Sequence, residues 1–477
     1  MERILSVAEM YKADEYTINN LGFSRETLIE RAGLAVASVI KNRFHGGRVL
    51  VCIGKGNNGE DGKIIAKVLS NAHGFTVTTL NVYNGIFKLL DREYDIIVDC
   101  IFGIGLNREV DGKYKEVIEK INSSKAFVIS CDVASGLNAD TGMPMGVAIK
   151  ADLTVAIQEY KLGHFLNQGI DYSGKVIAKD IGISIWGEDY AKKLTDEDAR
   201  KYFVPSIRNV NKGNFKKTLI IGGSKDYSGS AILSFNALLA LKMGNGYSHL
   251  GVPDCLFNSV VGLNPECIIK SLPETDGKLV FNQSVYENLL NFDSIAFGMG
   301  VTVSQEIYKI IKFLLKNYTG TLLIDADGLN TLSKYGVEVL KDKKCKVVLT
   351  PHVLEFARLI GKEKQEVIDN QISLSKQFAK EYEVIINLKS AVSIITDGVD
   401  AILNVTGTSG MAKAGSGDVL SGITAGILAK SQDILEATAV SAYIFGKCGE
   451  FVEKKDTEFT LTATYIINAL PQVIKNL

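Results

Sequence analysis

The sequence predicts an α/β protein of two domains, a doubly wound, mostly parallel sheet followed by a second α/β domain. Three observations carry this. At 477 residues the chain exceeds one ordinary hydrophobic core. Strand-like and helix-like runs alternate through both halves, the pattern of a sheet covered by helices on each face. Two unlike glycine-rich segments, Gly54-Lys55-Gly56-Asn57-Asn58-Gly59-Glu60-Asp61-Gly62 and Ala414-Gly415-Ser416-Gly417-Asp418, each follow an apolar run and lead into a helical pattern. That arrangement offers backbone N–H groups to phosphate. Their distance in sequence favours two nucleotide-handling sites over one.

In chain order, residues 48–53, 76–83, 95–102, 126–133, 153–157 and 176–181 are β-branched apolar runs bounded by turn residues, and read as strands. Residues 61–73 and 113–123 carry helical spacing between them. Ligands of such sheets bind beyond the carboxyl ends of the strands. Segments 54–62, 103–108 and 132–138 all fall there. The texture changes near Leu194, through Thr195-Asp196-Glu197-Asp198-Ala199-Arg200, Pro205 and 209–214, so the linker is placed at about 195–212 and the domains at 1–200 and 201–477. The second strand series is 217–222, 295–297, 321–324, 346–349, 384–388, 392–396 and 401–405, and three helices follow from Asp418.

Lys+Arg 53 against Asp+Glu 54 gives a net charge of −1, which makes no electrostatic case for nucleic acid or a membrane surface. Met1-Glu2-Arg3-Ile4 has no signal-peptide pattern, and no apolar run is long enough to span a bilayer. The seven cysteines include no C-x-x-C, and Cys52, Cys100 and Cys131 sit in strand-like runs as small buried thiols. A reducing, cytoplasmic compartment is expected, and a homo-oligomer.

In the first half, Asn57, Asn58 and Asp61 put amide and carboxylate oxygens into the glycine loop, suited to ribose hydroxyls or a hard cation. Asp99 and Asp132 end neighbouring strands. Two such carboxylates repel unless they hold a cation, a proton or a substrate, or each merely caps a turn. These residues, with Val98-Asp99-Cys100-Ile101-Phe102-Gly103-Ile104-Gly105 and Asp132-Val133-Ala134-Ser135-Gly136-Leu137, resemble the NAD(P)H-hydrate epimerase domain over about residues 1–195. The resemblance implies a Rossmann-like fold, a bound potassium ion, and interconversion of the R and S hydrates at nicotinamide C6. It makes Asn58, Asp99 and Ser135 the potassium ligands and places Asp132 at the reacting centre. Substrate would be held by Asn57, Asn58, Gly59, Glu60, Asp61 and by Gly103, Ile104, Gly105, Leu106, Asn107, Arg108 and Glu109. Two departures stand out: Glu60 and Ala134 replace the family's usual glycine and proline, adding a charge to one loop and removing a rigid element from the other.

In the second half, Gly415-Ser416-Gly417-Asp418 forms a cradle for charge on a transferring phosphoryl group, with an aspartate at the helix start able to accept a hydroxyl proton. An aspartate N-cap with glycines for a sharp entry is the simpler alternative. Together with Asp325-Ala326-Asp327-Gly328-Leu329-Asn330, Thr350-Pro351-His352 with Glu355, Asn387-Leu388-Lys389 and Gly410-Met411-Ala412, the segment resembles the ADP/ATP-dependent NAD(P)H-hydrate dehydratase over about residues 205–477. The resemblance implies a ribokinase-like fold, with ADP or ATP as phosphoryl donor and magnesium accompanying it. It makes Asp418 the catalytic base and Ser230, Gly300, His352 and Asp418 substrate contacts. Lys389, Ser390, Ala391, Val392, Ser393 and Gly417 would hold the nucleotide. Met299 and Ser390 depart from the family pattern, Ser390 adding a side chain at the nucleotide loop.

A hydrated nicotinamide carries a hydroxyl beside the ring nitrogen. Phosphorylation turns that poor leaving group into a good one, so a kinase-type site suits dehydration and an epimerase rescues the other isomer. The alternatives are a ribokinase-like small-molecule kinase with a non-catalytic, nucleotide-binding first half, and a first half that is a nucleotide- or RNA-binding scaffold.

Overall fold

The computed structural model describes residues 1–477 except 85–87, 188–189, 205–207, 210–214, 242–244 and 264. Part of the segment read as the linker, Pro205 included, therefore lies outside the described residues. The chain forms two compact units, Arg3–Tyr190 and Ala191–Leu477, the latter joined by Met1–Glu2. Residues 191–200, which the sequence reading attaches to the first domain, belong to the second unit.

In the first unit, β1 (Gly47–Ile53), β2 (Phe75–Asn81), β3 (Ile96–Cys100), β4 (Phe127–Cys131), β5 (Leu153–Ile157) and β6 (Lys175–Lys179) form an all-parallel sheet in the order β2-β1-β3-β4-β5-β6. The order reverses between β1 and β3, which makes their carboxyl ends the switch-point crevice. Val49, Val51 and Ile53 enter the core on one face of β1, and Leu50 and Cys52 enter that on the other. Helices cover both faces, as a parallel sheet requires. Before the sheet come α1 (Val7–Asn19), opened by a Ser6–Glu9 capping box, and α2 (Arg25–Arg43), capped by Ser24 with Lys41 and Arg43 in its last turn. Then α3 (Asn57–Ser70) follows β1, and α4 (Gly112–Ser123) follows β3. The first of these begins four residues before the predicted 61, so Asn57, Asn58, Gly59, Glu60 and Asp61 form its first turn.

In the second unit the sheet order is β10-β9-β8-β11-β12-β13-β14-β15-β16-β7, with β7 (Ala191–Lys193), β8 (Lys216–Ile221), β9 (Asn245–Pro253), β10 (Ile268–Leu272), β11 (Ser294–Phe297), β12 (Thr321–Ile324), β13 (Lys346–Leu349), β14 (Ile385–Leu388), β15 (Ser393–Thr396) and β16 (Ala401–Asn404). Strands β14, β15 and β16 pair antiparallel; the other strands of this sheet pair parallel. Here the switch point lies between β8 and β11. Helices α5 (Ser228–Leu241), α6 (Val353–Ile360), α7 (Ser416–Leu428), α8 (Ile434–Lys455) and α9 (Ala463–Asn476) include those that share the main core with the sheet. Strands β9 and β10 have no counterpart in the sequence reading. No helix among the described residues is long and apolar enough to cross a membrane.

Candidate active sites

In the first unit the loops after β1, β3 and β4 converge because their strands are neighbours. Asp99 is fully buried at the end of β3. It accepts from Ser130 Oγ at 2.8 Å, from Ser135 N at 2.9 Å and Oγ at 2.6 Å, and from Ile101 N at 3.2 Å. Burial raises its pKa above the ordinary carboxylate value, while these donors pull the other way. Asn58 Nδ2 donates to the Phe102 carbonyl at 2.7 Å and the Cys131 carbonyl at 3.1 Å. Its Oδ1 is buried with no hydrogen-bond partner. An orphaned buried acceptor is costly. Set beside Asp99 and the Ser135 hydroxyl, it makes an oxygen-only corner with one carboxylate, which fits a singly charged cation.

Asp132 follows β4 with φ +66°, a left-handed conformation rare outside glycine. Its Oδ1 accepts from Ile157 N at 3.0 Å and from the Lys161 ammonium, and Lys161 is fully buried. The repulsion expected between Asp99 and Asp132 is thus relieved at Asp132 by a lysine, which sequence reading missed. Its signal was a lysine four residues beyond an apolar strand end, in Tyr160-Lys161-Leu162-Gly163-His164. Asp14 on α1, also missed, is pushed up to about 6, by burial first and then by the charge of Asp132. Asp61 is pushed up to about 8, again by burial first and then by Asp132 and Glu60. A carboxyl at about 8 is mostly protonated at neutral pH and can donate a hydrogen bond.

The remaining substrate candidates rim this corner. Gly59 packs against the Gly54 carbonyl so tightly that a Cβ would sit 2.1 Å from that oxygen. Asn57 Oδ1 accepts from Arg25 at 2.6 Å. Glu60 turns outward to Lys63 at 2.6 Å, so its added charge is paired. A Cβ on Gly103 would lie 3.5 Å from Asn58 Cβ, and one on Gly105 2.8 Å from the Tyr11 hydroxyl. Ile104 and Leu106 are half-buried, whereas Asn107, Arg108 and Glu109 are exposed.

In the second unit, α7 begins at Ser416 behind Gly415, whose φ is +89°. Asp418 is therefore the third helical residue, not the first. Burial, followed by the charge of Asp325, pushes Asp418 up to about 6, against the pull of the nearby Ser230 hydroxyl. Gly300, at φ +69°, leaves only 3.2 Å between an added Cβ and Ser230 Cβ. The structure thus gathers Ser230, Gly300 and Asp418. Beside them Lys389 Nζ donates to Asp325 Oδ1 at 2.8 Å, and Ser421 Oγ donates to Asp325 Oδ2 at 2.6 Å. A Cβ on Gly417 would lie 3.6 Å from Lys389 Nζ. Desolvation works against the Lys389 charge, but Asp325 and Glu355 prevail and raise its pKa. Sequence reading gave Asp325 no role, although its position one residue past β12 marks a strand-end carboxylate.

His352 caps α6 through Nδ1, which accepts from Leu354 N at 3.1 Å and Glu355 N at 3.3 Å. It pairs with Lys389 as an isolated parallel bridge, so it stands on the same rim with half its side chain exposed. Residues 389–392 form the turn from β14 into β15, which opens at Ser393. Ser390 Oγ folds back to the Val392 carbonyl at 2.5 Å and Gln371 Oε1 at 3.3 Å. Ala391 is exposed, Ser393 half-buried, and the Val392 side chain points into the core.

A Rossmann-like unit and a ribokinase-like unit, each with carboxylates gathered at its switch-point loops, define a two-domain nucleotide-handling enzyme. The NAD(P)H-hydrate dehydratase family model matches residues 218–472, and the model described as YjeF-related protein N-terminus matches 25–94 and 81–163. Relatives named bifunctional NAD(P)H-hydrate repair enzyme Nnr include one from Moorella thermoacetica, 30% identical over 99% of this chain and 97% of its own. Another, from Pyrobaculum aerophilum, is 31% identical over 100% and 98%. The chain belongs to this bifunctional repair-enzyme family. Among solved structures, the Bacillus subtilis ADP/ATP-dependent NAD(P)H-hydrate dehydratase, co-crystallized with ATP/Mg2+, matches 60% of this chain and 98% of its own. Its TM-score of 0.52 at 24% identity supports the fold. Family membership favours repair over the small-molecule kinase alternative.

Proposed function

We propose that the chain repairs hydrated NADH and NADPH, with the first unit, Arg3–Tyr190, epimerising the R and S hydrates at C6 and the second, Ala191–Leu477, dehydrating the S hydrate at the expense of ADP or ATP. The observation that carries the reading is Asp418, half-sunk at the glycine-cradled start of α7 with Ser230 near its carboxylate and the Lys389–Asp325 pair beside it. Asp418 takes the proton of the C6 hydroxyl, whose oxygen attacks the terminal phosphoryl group of the nucleotide. Lys389 and the N–H groups around Gly417 stabilise the charge that develops, and magnesium accompanies the phosphates. The nitrogen lone pair then expels phosphate, and loss of a C5 proton restores the dihydropyridine. His352, Gly300 and Ser230 hold the substrate ring, and 389–393 the nucleotide.

In the first unit Asp132 takes the hydroxyl proton as the C6–N1 bond opens. The O–H pair becomes the aldehyde C=O bond, the C6–N1 pair moves to nitrogen, and Asp132 returns the proton there. Rotation about C5–C6 and reversal give the other epimer. Asn58, Asp99 and Ser135 would hold potassium, which supplies a fixed positive charge beside the substrate. The loops 57–61 and 103–109 would hold the rest of the cofactor. Cytoplasmic residence and a homo-oligomer are part of the same reading, which size-exclusion chromatography checks for assembly.

The test is to incubate the protein with an R/S hydrate mixture and follow NADH absorbance. With ADP or ATP and potassium the whole mixture should be recovered. With the nucleotide alone and potassium replaced by a large organic cation, only the S portion should recover quickly. No recovery with either nucleotide rejects the dehydratase reading.

A further inference from the structure

The loop that carries Asp132 is held by a segment to which the family resemblance gives no role, Tyr160 to His164. The Lys161 backbone N–H donates to His164 Nδ1 at 3.0 Å, so that nitrogen is the acceptor and the ring hydrogen sits on Nε2. From there it donates to the Asp132 carbonyl at 2.8 Å. Burial, then the Lys161 charge, pushes His164 down to about 4, which keeps this tautomer neutral. The Asp132 N–H donates to the Val155 carbonyl at 2.9 Å. Its Oδ1 is taken by Ile157 N and by the Lys161 ammonium, which also donates to the Ile157 carbonyl at 2.6 Å. Asp132 is thus fixed at its N–H, its carbonyl and one carboxylate oxygen. Its Oδ2 has no hydrogen-bond partner among the described residues, and a small part of the side chain reaches the surface.

A fully buried ammonium is costly unless its partners are well placed, and replacing it with an apolar side chain would serve packing as well. We propose that Lys161 is the positioning residue of the epimerase centre, pinning Asp132 Oδ1 so that Oδ2 alone meets the C6 hydroxyl of the hydrated nicotinamide. The inference rests on the epimerase reading above. It also gives a reason why Ala134 is tolerated: the 157–164 segment supplies the rigidity that a proline ring would otherwise give, and holds Asp132 in its left-handed conformation.

Steady-state epimerisation by Lys161→Ala, with and without ethylammonium, tests this. A positioning role predicts a loss in kcat of about 10²-fold with KM changed less than about threefold, and partial restoration by the added amine, which refills the space and the charge. Wild-type kcat in Lys161→Ala, a loss confined to KM, or no restoration by amine overturns the proposal. Should the variant not fold, a crystal structure of the wild type with the hydrated cofactor decides: Oδ2 on the C6 hydroxyl and Oδ1 still on Lys161 is expected. Lys161 itself on that hydroxyl refutes it. A wild-type chain that does not epimerise counts against the function proposed above instead.

Discussion

Asp418 combines burial with a negative neighbour, and both properties bear on what the residue does. Its folded pKa of about 6 lies above the ordinary 3.8, so the unfolded chain ionises first as pH rises. Stability from this group is complete below about pH 4 and is lost as pH passes through about 6. Asp418→Asn should therefore melt like wild type at pH 4 and above wild type at pH 7 in thermal scans. The base works only when ionised, so wild-type dehydratase kcat/KM should fall as pH drops through about 6. The same variant should lose about 10²–10⁴-fold in dehydration and keep epimerisation. Wild-type turnover in Asp418→Asn would remove the residue from the mechanism. Ser390 shows the opposite case. Its hydroxyl is absorbed by the Val392 carbonyl and Gln371, so the departure from glycine is accommodated locally.

At the scale of elements, the alignment of Asp418 with Ser230 depends on how closely α7 and α5 approach. Gly422 makes that approach possible: an added Cβ would sit 1.9 Å from the Ser234 carbonyl oxygen, backbone that cannot yield as a side chain tip would. Gly422→Ala should cost about 1–3 kcal/mol of stability in the second unit by overpacking. It should also depress dehydration, because Ser230 and Asp418 stand on the two helices being pushed apart. Epimerisation should be unchanged. Calorimetry with both assays checks this, and full dehydratase activity at unchanged melting temperature would show that the helices have slack.

At the scale of the molecule, the placement of β7 decides where the chain can be cut. Lys192 pairs in register with Ile402, and Leu194 and Ala199 lie in the same core as α7 and α8. Fragment 191–477 should fold and dehydrate. Fragment 201–477 lacks that strand and both buried side chains, and should melt lower by roughly 3–10 °C. Equal melting temperatures would show that 191–200 contributes nothing to the second unit.

The sequence by itself determined the alternation of strands and helices, the two nucleotide-facing loops and most of the residues around them. Asn58, Asp99, Asp132, Ser135 and Asp418 all announce themselves as polar groups at the ends of apolar runs, a local signal. Strands β9 and β10 were not legible, since Asn245–Pro253 mixes glycine, histidine and serine into its apolar positions and Ile268–Leu272 is a half-exposed edge. Lys161, His164, Asp14 and Asp325 were not assigned either. Their roles come from partners far away in the chain, such as Asp132 for Lys161 and Lys389 for Asp325. Only the register of neighbouring strands puts those charges in contact, and only burial makes the contacts strong enough to set which group holds a proton and which accepts one.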